Sequence, residues 1–140
     1  MSPRFLTTSA VLALVMLWTP IGMIALQKDD NPSPEAWGGL HVTMQMTAQG
    51  ATLEFDCAHG AIREPIKPNS HGEFSVAGTY SPEHGGPIRR DETSRELPAT
   101  YKGSIDGDTM QLQIELSDKT LQPPPLTLKR GARGRVFKCR

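Results

Sequence analysis

A chain of 140 residues suits one domain with room for a short extra segment. Its 13 Gly and 12 Pro, with aromatic residues at 6%, favour short strands and many turns over long helices. Lys and Arg total 15, as do Asp and Glu. That balance excludes a molecule that binds polyanions with its whole surface. The charge is uneven, however: no acidic residue follows Asp118, while the tail carries Lys129, Arg130, Arg133, Arg135, Lys138 and Arg140.

Residues 1–26 come first. Phe5 to Leu26 is an apolar run behind Met1-Ser2-Pro3-Arg4 and ahead of Lys28-Asp29-Asp30. It predicts a helix that is either a secretory signal peptide or an N-terminal membrane anchor. Arg4 before the run favours the N-terminus inside and the domain outside. The expected setting is extracytoplasmic: secreted if the segment is cleaved, held at the inner membrane facing the periplasm if it is not. Residues 27–35, with Asn31-Pro32-Ser33-Pro34, read as a linker.

The domain is expected over residues 36–140. Leu40, Val42, Met44 and Met46 alternate with polar residues, which predicts a half-buried strand. Ala51, Leu53, Phe55 and Cys57 predict a second, with the cysteine on its core face. Glu64 to Gly72 reads as a loop, and Phe74, Val76, Gly78 and Tyr80 as a third strand. Ser81 to Pro98 is polar and rich in turn residues, and predicts a long exposed loop. Ala99 to Ile105 and Met110 to Leu116 form a hairpin about Asp106-Gly107, which supplies the positive φ of a tight turn. After Pro123-Pro124-Pro125, short strands are expected at Leu126 to Lys129 and at Arg135 to Cys139. Phe137 and Cys139 would share the core face. The fold expectation is all-β: a small antiparallel barrel or sandwich of about seven short strands after an N-terminal apolar helix. A barrel is preferred, because closure removes exposed edges and Gly78 and Gly103 suit its corners.

Cys57 and Cys139 are the two cysteines. In an exported domain such a pair predicts a disulfide. Closing so long a loop stabilises by about 4 kcal/mol in the chain-entropy model.

Candidate chemistry is sparse. His59, His71 and His84 each precede a glycine, and Glu83 adjoins the last. Neutral imidazoles are common metal ligands. On this seven-strand reading, His59 and His71 flank one connection and lie at one end, and His84 lies at the other. That leaves a two-histidine metal site at His59 and His71, with a hydrolase using the loop histidines as its catalytic variant. Glu83 and His84, in the longest loop, are the candidates for reading a protein partner. Inward Met44, Met46, Phe55, Phe74, Met110 and Ile114 either line a cavity for a small apolar ligand or fill the core. The basic tail suits phosphates on lipid or polysaccharide, or a charged edge that resists aggregation. Nucleic acid is not expected as a partner, and no cofactor is implied.

Four segments carry a resemblance. Gly50 to Gly60, Val76 to Tyr80, Glu83 to Pro87 and Tyr101 to Met110 resemble those of a set of uncharacterised bacterial exported proteins. The resemblance covers most of the domain from Trp37 onward and implies a bacterial envelope setting with no particular activity. Tyr101-Lys102-Gly103 through Gly107 is also similar to strands of lipocalin-like small barrels, although Trp37 is followed by Gly38-Gly39 and lacks the lipocalin Gly-x-Trp pattern. The leading expectation is a non-enzymatic extracytoplasmic barrel that binds a small molecule or an envelope component. The alternatives are the histidine metal site or hydrolase, and a membrane-anchored interaction module.

Overall fold

A computed structural model describes residues 34–87 and 95–139. The expectations for residues 1–26, for most of the linker and for the middle of the 81–98 loop lie outside these residues. The described part is all-β and contains no helix. Eight strands form a closed antiparallel barrel in chain order. They are β1 (Glu35–Gly39), β2 (Val42–Thr47), β3 (Gly50–Phe55), β4 (Ala58–Ile62), β5 (Glu73–Pro82), β6 (Leu97–Asp106), β7 (Thr109–Leu116) and β8 (Leu126–Arg130). Closure comes from β1 against β8, with Trp37 opposite Arg130 and Gly39 opposite Leu128.

Side-chain alternation explains the core. Residues opposite one another share a face, so Trp37 and Met44 meet inside, as do Met44 and Leu53. Trp37, Met44, Leu53, Tyr101, Met110, Leu112, Ile114 and Leu128 are all fully buried. Each such apolar side chain stabilises by about 1.5–3 kcal/mol relative to exposure. Tyr101 is the largest apart from Trp37, and it lies across space left by two glycines. A Cβ on Gly60 would stand 2.1 Å from the Tyr101 hydroxyl, and one on Gly78 would stand 2.8 Å from its ring. The hydroxyl donates to Thr79 O at 2.7 Å, so the buried polar atom is satisfied. Gly78 therefore makes room for an aromatic ring and does not turn a corner.

The count of strands differs from the expected seven in three places. A strand, β1, precedes the first predicted one, and the chain reverses between it and β2 at Leu40-His41, where His41 has φ of 68°. Leu40, expected inside, is 57% exposed. β4 is an additional strand whose inward residues are Ala58, Gly60 and Ile62. Two of these are small, which hid the alternation, and they are small because Tyr101 fills the adjacent interior. The predicted strand at 135–139 is not a strand. The segment after β8 doubles back outside the barrel and makes one isolated parallel bridge, Leu40 to Arg135. It lies close against β1: a Cβ on Gly38 would meet Ala132 O at 2.3 Å. Phe137, expected in the core, is 51% exposed.

The β6–β7 hairpin is as expected, with the two-residue turn at Gly107-Asp108 and Asp106 opposite Thr109. The expected loop from Ser81 is shorter, since β5 runs to Pro82 and β6 begins at Leu97.

Candidate functional site

The meander gives the barrel two unlike ends. Odd-numbered strands begin at one, here called the mouth end. They finish at the other, here called the disulfide end.

At the mouth end the inward residues stop short of closing the barrel. Glu35 opens β1, Met46 lies near the end of β2, Ile105 near the end of β6, and Arg130 ends β8. The β4–β5 connection supplies Ile66 and Pro68 over this opening. Together with Thr47 and Ala48 they line a pocket of 480 Å³. The loop is fixed by local bonds. Asn69 Oδ1 accepts from the backbone N–H groups of His71 and Glu73, at 2.9 and 3.0 Å, and Glu64 Oε1 accepts from Ala77 N at 2.8 Å. The polar side of the pocket is Arg130. Its guanidinium stacks 4.4 Å from the Trp37 ring centroid, donates through Nε to Asp108 Oδ1 at 3.1 Å and pairs with the Glu35 carboxylate. Asp108 thus belongs to this ion cluster.

At the disulfide end, Cys57 in the β3–β4 turn is bonded to Cys139, with Cα atoms 5.2 Å apart. Cys57 is exposed, so the cysteine does not face the core as expected. The bond joins a turn to the returning C-terminal segment, 82 residues apart in sequence. Asp56 fastens the same segment. Its Oδ1 accepts from Phe137 N at 2.8 Å, and its Oδ2 lies 2.5 Å from His41 Nδ1. The His41 and Phe137 rings are 5.6 Å apart. A second pocket of 340 Å³ opens here among His41, Phe55, Tyr80, Pro123, Pro124 and Leu126. Burial pushes the Tyr80 hydroxyl above its ordinary pKa. The Tyr101 hydroxyl, in mid-barrel, is raised further by burial and by the neighbouring Tyr80.

The structure redistributes the histidines. His59 and Glu83 come together at the disulfide end, Nδ1 to Oε1 at 2.8 Å. His84 lies at that end also, with its Nδ1 3.0 Å from Gly85 O. His71 precedes β5 and lies at the mouth end. The additional strand β4 reverses the parity of the chain, so the proposed pair His59 and His71 is separated along the barrel. Among the described residues, no three His, Cys, Asp or Glu side chains converge as they would around a metal ion. The His59–Glu83 pair is half-exposed on the outer surface, and Cys57 beside it is held in the disulfide. The pair is a hydrogen-bonded tie between β4 and the segment after β5.

The predicted ligand-lining residues divide. Met44, Phe74, Met110 and Ile114 are buried, and Met44, Met110 and Ile114 fill the barrel centre. Met46 lines the mouth and Phe55 the pocket at the disulfide end. Of the seven other mouth residues, four show how the sequence concealed them. Glu35 falls in the expected linker, Ile105 in an expected core strand and Arg130 in the basic tail. Ile66 alone left a local signal, as an isolated apolar residue in a polar, proline-rich connection.

The fold and its openings define a small up-and-down β-barrel with a packed centre and a pocket at each end. No family model matches the chain, and no curated protein or solved structure matches it either.

Proposed function

We propose that this domain is a non-enzymatic binding module working outside the cytoplasm, and that it takes a small ligand with an apolar body and a polar head at the mouth end. The observation that carries this reading is the 480 Å³ opening, where Met46, Ile66 and Ile105 stand beside the Glu35–Arg130 pair. Pockets for small molecules span roughly 300–1,000 Å³ and combine apolar walls with a few placed polar groups. The centre of the barrel is taken up by fully buried side chains, among them Met44, Leu53, Tyr101 and Ile114. The disulfide supports an oxidising compartment, and so does the apolar N-terminal run. The likeness of its segments to those of bacterial exported proteins supports a setting in the cell envelope.

Native mass spectrometry of the protein taken from a bacterial envelope tests the proposal first, since a bound organic mass identifies the cargo class. Titration with single-chain amphiphiles follows. At a hundredfold excess over Kd a true ligand stabilises by about 2.7 kcal/mol. Ile66→Trp, which fills the mouth, is expected to remove that gain while leaving the unliganded melting temperature nearly unchanged. An undiminished gain in Ile66→Trp sinks the mouth as the site.

A further inference from the structure

We propose that the disulfide end docks on an anionic phospholipid surface, with Leu40, Leu121 and Phe137 entering the headgroup layer. Three large apolar side chains are exposed among the described residues, and they are these three, at 57%, 41% and 51%. They come from three separate segments: the β1–β2 turn, the β7–β8 connection and the returning C-terminal segment. The meander brings all three to one end, and the mouth end has no counterpart among the described residues. Scattered exposed apolar residues are ordinary, but their collection on one end is not.

The charge around them selects the partner. Arg133, Arg135 and Phe137 alternate outward along the returning segment, while residues 132, 134 and 136 lie half-buried against the barrel. Among the described residues, Arg133, Arg135, Lys138 and Lys119 form no ion pair. Among the described residues, the carboxylates of Asp56, Glu83 and Asp118 at this end are occupied within the molecule. Asp56 holds His41 and Phe137 N, Glu83 holds His59, and Asp118 holds Thr120 and Arg95. The end therefore offers free cations around protruding apolar tips. That combination fits negative headgroups over acyl chains: the cations stay at the phosphate level while the apolar tips sit below them. The tips come from three separate segments and not from one continuous apolar face, which favours a lipid surface over a peptide helix. The disulfide and Asp56 hold the segment in place before contact, so little ordering is lost on docking.

The test uses the full chain reconstituted in vesicles of brominated phosphatidylcholine, alone or with phosphatidylglycerol added. Phe137→Trp places a fluorophore at the contact, and the emission of the parent chain is subtracted. Quenching at position 137 is expected with phosphatidylglycerol and not without it. Replacing Arg133, Arg135 and Lys138 together with Gln is expected to lower the docked-to-free ratio on the order of a hundredfold, at about fivefold per cation. An unchanged melting temperature of that variant shows that the fold persists. Equal quenching in the two lipids overturns the proposal, because the N-terminal segment alone would then explain it. So does quenching that survives loss of the three cations. Protection of position 137 that grows with protein concentration and ignores lipid charge assigns the surface to a second copy and overturns it also.

Discussion

At the mouth end, tight polar turns at Ala48-Gln49 and Gly107-Asp108 surround a recess, and Arg130 is tied to Glu35, Asp108 and the Trp37 ring. At the disulfide end, apolar side chains protrude, Arg133, Arg135, Lys138 and Lys119 form no ion pair among the described residues, and a covalent bond adds to the pairs made by Asp56, Glu83 and Asp118 as the fastening. One end is a recess whose Glu35–Arg130–Asp108 cluster is paired internally, and the other has a smaller pocket beside protruding apolar tips and unpaired cations. The difference follows from the meander. A strand alternates its side chains between core and solvent, so specialised chemistry accumulates where the alternation stops. On a barrel that means the two rims.

The two ends are expected to fail independently, and the largest test of that is the disulfide. Replacing Cys57 and Cys139 together with Ser is expected to cost about 4–5 kcal/mol in urea unfolding, from the entropy of the loop they close. Stabilisation by a mouth ligand should survive in that variant at temperatures where it remains folded. Loss of the ligand response would show that the ends are coupled. Arg130→Ala acts from the other side. It removes the stacking on Trp37 and leaves two carboxylates together, for about 2 kcal/mol. Thermal melts should show that loss, while the rate at which reductant opens the disulfide stays unchanged.

Tyr101 belongs to neither end and supplies a reference. Its hydroxyl is held neutral in the folded state above its ordinary pKa of 10.0. Above that pH the unfolded chain releases this proton while the native state keeps it, so the unfolded state binds fewer protons. Stability then falls with rising pH by about 1.4 kcal/mol per unit for this group. Tyr101→Phe is expected to flatten that slope in alkaline unfolding curves, and an unaltered slope would place its source elsewhere. The smallest effect is at Asp118, on the β7–β8 connection. Hydrogen bonds from the Thr120 hydroxyl and amide, with Arg95 nearby, hold its carboxyl below its ordinary value of 3.8. Its contribution is present above that value and is lost as pH falls through the lower, folded one. Asp118→Asn should remove this part of the acid dependence of the melting temperature and leave the mouth ligand unaffected.

Much of the barrel is legible in the residues themselves. Strands whose inward positions hold Val, Leu, Ile, Met or Phe are recognisable by alternation, as in β3 from Ala51 to Phe55 or β7 from Met110 to Leu116. β1 and β4 are not, because Gly39, Ala58 and Gly60 are small for a reason that lies elsewhere in the chain. Phe137 misleads in the opposite direction, since an aromatic residue two before a cysteine suggests a core strand. The recess at the mouth is less legible still. Its residues are drawn from a linker, a turn, a proline-rich loop, a strand and a basic tail, and no spacing along the chain relates them.

Taken alone, the sequence determines the all-β class, the central hairpin, the pairing of the two cysteines and most of the core. Each rests on local alternation, on turn chemistry or on there being two cysteines to pair. Tertiary structure decides how many strands there are, and through their parity which residues share an end. It separates His59 from His71, unites His59 with Glu83, and turns Leu40 and Phe137 outward. The physical reason is that one small-residue strand, made possible by the volume of Tyr101, reverses the direction of everything after it. A local pattern cannot register a vacancy that a distant side chain fills.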